Sequence, residues 1–105
     1  MNERKIPYQR MIFVCTNVRE GAAACGNAER GEACGFKLVE KLREEVKKQG
    51  LKNKIRVAKS GCMDLCARGP NIMVFDETGT YQIFSGVSPD DLPALAERFI
   101  ASLSN

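Results

Sequence analysis

Apolar positions recur along the chain in two rhythms. Met11-Ile12-Phe13-Val14-Cys15 is a continuous apolar run rich in β-branched and aromatic residues, the pattern of a strand buried on both faces, with Cys15 at its end. Leu38, Val39, Leu42 and Val46 follow at helical spacing, opposite Glu40, Lys41, Arg43, Glu44, Glu45, Lys47 and Lys48. That spacing predicts an amphipathic helix over roughly residues 33–49, closed by Gly50. Residues 54–59, Lys-Ile-Arg-Val-Ala-Lys, alternate as a strand with one wet face, and Asn71-Ile72-Met73-Val74-Phe75 is a second buried run. A turn at Asp76-Glu77-Thr78-Gly79 leads into Thr80-Tyr81-Gln82-Ile83-Phe84 as a hairpin. Ser88-Pro89-Asp90-Asp91 then opens a last helix near Asp91, with Leu92, Leu95, Ala96, Phe99 and Ile100 as its apolar face.

The order strand-helix-strand-strand-strand-helix predicts an α/β protein with a mixed parallel and antiparallel sheet flanked by helices. A parallel crossover followed by a hairpin is the order of a thioredoxin-like fold, although thioredoxin's own Cys-x-x-Cys is missing. With 105 residues, no internal repeat and no linker, one domain over residues 1–105 is expected, residues 1–9 forming a flexible N-terminal segment.

Chemistry is concentrated where the apolar pattern breaks. Residues 16–31 carry glycines at 21, 26 and 31, no periodicity, and Cys25. Ser60-Gly61-Cys62-Met63-Asp64-Leu65-Cys66-Ala67-Arg68-Gly69-Pro70 joins two strands and holds two cysteines, with three residues between them, between flanking glycines. That spacing lets two thiolates curl back onto one metal atom. Cys15 and Cys25 offer a second pair, and loops that follow parallel strands meet at one sheet edge. A pair from each loop matches the two thiolates per iron that a [2Fe-2S] cluster needs. Cys34, one turn before Leu38 on the helix's apolar face, is expected in the core, since buried cysteine often behaves as a small apolar residue. Asp64 is better explained as a solvated loop residue, and Arg19, Arg30 and Arg68 as surface charges near the cysteine loops. Met63 and Leu65 could shield a cluster, whereas Met73 and Phe75 belong to the strand core and Tyr81 and Phe84 to sheet packing.

Composition narrows the options further. The chain has no histidine, which removes mixed cysteine-histidine zinc sites, the Rieske arrangement and histidine acid-base chemistry. Five cysteines would leave one unpaired in a disulfide scaffold. A formal charge of +3 is too mild to indicate nucleic-acid binding. No apolar run approaches the roughly 20 residues of a membrane span, and Met1-Asn2-Glu3-Arg4-Lys5-Ile6-Pro7 lacks the apolar core of a signal peptide, so a cytoplasmic protein is expected. The competing readings are a zinc site with four cysteine ligands and a dithiol redox enzyme using Cys62 and Cys66.

Three stretches carry a resemblance to a known family: Ile12-Phe13-Val14-Cys15-Thr16-Asn17-Val18-Arg19, the run from Gly61 through Cys62, Cys66, Gly69 and Pro70 to Phe75, and Val87-Ser88-Pro89-Asp90-Asp91. In these the chain resembles the thioredoxin-like [2Fe-2S] ferredoxins. It is also similar to the cluster-binding module of NADH dehydrogenase and hydrogenase subunits, which shares the Cys-x-x-x-Cys and a following Gly-Pro or Ala-Pro, so a cluster-binding subunit of such a complex is the alternative reading. The resemblance implies a [2Fe-2S] cluster on four cysteines, electron carriage between redox partner proteins without substrate turnover, and a homodimer. Cys15, Cys62 and Cys66 fall on the family's ligand positions. Both Ala24-Cys25-Gly26 and Ala33-Cys34-Gly35 answer to the second one, and Cys25 is favoured because it lies in the glycine-rich loop. The implied ligand set is therefore Cys15, Cys25, Cys62 and Cys66.

Overall fold

A computed structural model describes residues 1–16, 34–60, 70–76, 78–79 and 81–103. Its elements are β1 (Arg10–Cys15), α1 (Gly35–Lys48), β2 (Ile55–Ser60), β3 (Ile72–Asp76), β4 (Tyr81–Phe84) and α2 (Leu92–Phe99). Short 3-10 turns at Pro89–Asp91 and Ala101–Leu103 flank α2. The four strands form one sheet in the order β2-β1-β3-β4. β1 and β2 run parallel, as a helical crossover requires, while β1 with β3 and β3 with β4 are antiparallel.

Local chemistry explains the ends of α1. The Gly50 amide donates to the Lys47 carbonyl (3.1 Å) and the Leu51 amide to the Val46 carbonyl (3.0 Å). Gly50 itself adopts φ +69°, the left-handed conformation this helix stop needs. At the start of the C-terminal helical region the Ser88 amide and hydroxyl both donate to an Asp91 carboxylate oxygen (2.9 and 3.2 Å).

A single apolar cluster lies between the sheet and the helices. Ile12, Val14, Ile55, Val57, Ile72 and Val74 from the strands meet Leu38, Val39, Leu42 and Val46 of α1 and Leu92, Phe99 and Ile100 at α2. The two helices thus share one face of the sheet, and Phe84 turns to that side, edge-on to Phe99 at 5.5 Å. Here the structure corrects the sequence reading of β1 and β3 as buried on both faces. Met11, Phe13, Met73 and Phe75 alternate to the opposite face and are only half-buried, while Tyr81 and Ile83 beside them are exposed. Phe13 meets Phe75, and Phe75 meets Tyr81, edge-on at 5.8 and 5.7 Å. A continuous apolar run says a strand is apolar on both sides but not that a second layer covers both. Among the described residues no helix does.

One charged clasp secures the other end of the sheet. The Arg10 guanidinium lies 3.2 Å from the Asp76 carboxylate across the β1–β3 pair. It also donates to the Phe99 carbonyl (2.7 Å) and the Ser102 hydroxyl (3.1 Å), so it joins β1, β3 and the end of α2.

Candidate metal centre

The carboxyl ends of β1 and β2 lie side by side because the strands are parallel, with Cys15 paired to Ser60 in register. Cys15 is fully buried. Its amide donates to the Asn71 carbonyl at 3.1 Å. The next amide, of Thr16, donates to the Ser60 carbonyl at 3.2 Å, and the Thr16 hydroxyl does the same at 3.2 Å. Ser60 and Asn71 stand at the two sides of the stretch that carries Cys62 and Cys66. Both sides of that stretch are therefore fastened to the last residues of β1. Cys62 lies only two residues beyond Ser60, at most about 7 Å of extended chain.

α1 delivers another cysteine to this edge. Cys34 is the residue before the helix, with an extended backbone (φ −71°, ψ 149°), and is 6% exposed. Gly35, the first helical residue, presses against the end of β1. A Cβ there would overlap the Cys15 carbonyl oxygen outright and sit 2.9 Å from the carbonyl carbon and 3.2 Å from Thr16 Cα. Only glycine permits that approach. The side-chain N-cap of α1 is missing, no carboxylate occupies its first turn, and the Lys37 and Leu38 amides both donate to the Cys34 carbonyl at 3.0 Å.

The burial expected for Cys34 is present, but its reason differs. Helical periodicity placed it in line with Leu38 and Leu42, yet its backbone is extended, so that periodicity does not govern it. Its neighbour Gly35 packs against the end of β1. Gly35 is the residue that sequence reasoning missed. A glycine at a first helical position, where it weakens the helix, is the available signal that a backbone must come close.

Of the expected site residues only Cys15 is described; Cys34, expected in the core, is buried and its neighbour Gly35 lies against the Cys15 backbone. Cys25, Cys62 and Cys66 lie outside the described residues, as do Arg19, Arg30, Asp64, Met63, Leu65 and Arg68. Among the described residues, no three Cys, Asp or Glu side chains come together as a metal site. No described helix is long and apolar enough to cross a membrane.

Residues 12–103 match the model of a family described as "Protein of unknown function (DUF1636)". The chain belongs to that family. It is also 29% identical over 89 residues to a protein named "Ferredoxin, 2Fe-2S" from Clostridium pasteurianum, covering 85% of this chain and 82% of the relative. A crystal structure of the wild-type thioredoxin-like [2Fe-2S] ferredoxin from Aquifex aeolicus superposes with a TM-score of 0.70 at 23% identity, covering 90% of this chain and 87% of the other. A second structure of a thioredoxin-like [2Fe-2S] ferredoxin from Aquifex aeolicus gives 0.71 at 22% identity, with 90% and 83% covered. The thioredoxin-like fold read from the element order is thereby borne out, and so is the resemblance to those ferredoxins.

The described part of the site fits a thiolate-bound cluster. Soft sulfur donors select iron-sulfur clusters and zinc over harder cations. Backbone from Ser60, Asn71 and Gly35 gathers around Cys15 and Thr16 at the end of β1.

Proposed function

We propose that this protein carries single electrons on a [2Fe-2S] cluster held by Cys15, Cys62, Cys66 and a further thiolate from Cys25 or Cys34. The observation that supports it most is the fastening of Ser60 and Asn71 to the end of β1, which brings both sides of the Cys62–Cys66 segment to Cys15. The cluster, when bound, supplies a one-electron couple. The chain's own residues bind it, set its distance from the surface and exclude water. Histidine is absent from the whole chain, which removes the commonest general base. This reading makes the protein a carrier without substrate turnover.

Redox partner proteins as donor and acceptor, a homodimeric state and a cytoplasmic location belong to the same reading. Their support is the likeness to the ferredoxins and the lack of a long apolar run in the sequence. Anaerobic purification followed by iron, sulfide and zinc analysis tests the proposal. About two irons and two sulfides per chain, brown colour and a paramagnetic signal on reduction are expected for the cluster. A colourless protein with one zinc per chain overturns it.

A further inference from the structure

We propose that Cys34, and not Cys25, supplies the second thiolate of the cluster. This inference rests on the cluster reading and assigns one position within it. Gly35 fixes the α1 terminus so tightly on the Cys15–Thr16 backbone that a single methyl group has no room between them. Cys34, one peptide unit away, is therefore held beside Cys15 by the fold itself. Two thiolates on one metal at about 2.3 Å lie roughly 4 Å apart, so ligands of one iron must come from backbones held close together.

Three features mark Cys34 as more than a packed core residue. It stands outside the helix, with an extended backbone, although it precedes the apolar stripe Leu38–Leu42–Val46. It occupies the N-cap position without a side-chain hydrogen bond to the helix, in a first turn that carries no carboxylate. The third feature is its company: Cys15, the other described cysteine and also buried, ends the strand against which Gly35 packs.

The deciding variant is Cys25→Ser, which leaves Cys15, Cys34, Cys62 and Cys66 as the four thiols of the chain. Wild-type and variant proteins are loaded anaerobically and compared by iron and sulfide content, visible absorption and the paramagnetic signal of the reduced state. Cys25→Ser is expected to keep two irons and two sulfides per chain and a spectrum superimposable on wild type. Cys34→Ser, checked for folding by circular dichroism, is expected to lose the cluster or show a shifted spectrum. A shifted spectrum or cluster loss in Cys25→Ser overturns the assignment, and so does a wild-type spectrum in a folded Cys34→Ser protein. A wild-type protein that takes up no iron or sulfide refutes the cluster reading itself, which is a separate outcome.

Discussion

Gly35→Ala sets two well-understood effects against each other. In an exposed helix the change would stabilise, by up to about 1 kcal/mol, because alanine loses less backbone entropy. At this position the new methyl group overlaps the Cys15 carbonyl oxygen and lies 2.9 Å from its carbon. Carbon atoms pack at about 3.5 Å or more, so α1 or the end of β1 must retreat by roughly 0.6 Å for the carbon alone. The obstacle is backbone, which cannot swing aside like a side chain, and such overpacking costs about 1–3 kcal/mol. The net expectation is a loss of about 1–2 kcal/mol, or a thermal midpoint lower by roughly 5–15 °C. Urea and thermal unfolding of the metal-free protein measure the loss, and the visible spectrum of the loaded protein reports on the displaced Cys15. Gly50→Ala is the control. It has open space around the would-be Cβ but φ +69°, so it loses about 1 kcal/mol to backbone strain and leaves the spectrum unchanged. A Gly35→Ala protein as stable as wild type with an unaltered spectrum refutes the idea that this contact sets the site.

Two further predictions concern the frame that holds the edge in place. Asp76→Ala removes the partner of a guanidinium whose side chain is only 13% exposed and should cost about 2–3 kcal/mol in urea unfolding; a loss below about 0.5 kcal/mol would show that the Phe99 and Ser102 contacts suffice. Leu38→Ala empties a fully buried position between α1 and the sheet and should lower stability by about 3 kcal/mol, read from the same curves. A change near zero would mean that α1 is not anchored where its periodicity places it.

Most of the element pattern was legible from the chain alone. Hydrophobic spacing located all four strands and both helices to within a residue or two, because each element must turn an apolar set toward one core. The total absence of histidine and the Cys62–Cys66 spacing point to sulfur ligation from the sequence alone. Tertiary structure decided what spacing cannot encode. Periodicity made β1 and β3 look buried on both faces, but α1 and α2 pack on the same side and leave Phe13, Met73 and Phe75 half-exposed. Periodicity likewise placed Cys34 on a helical stripe, whereas the helix starts one residue later and its first glycine is driven against the Cys15 carbonyl. A sequence lists which residues prefer to be buried and at what interval. Which backbones must touch depends on how the layers close, and at the end of β1 that closure sets Gly35, the residue after Cys34, against the Cys15 carbonyl.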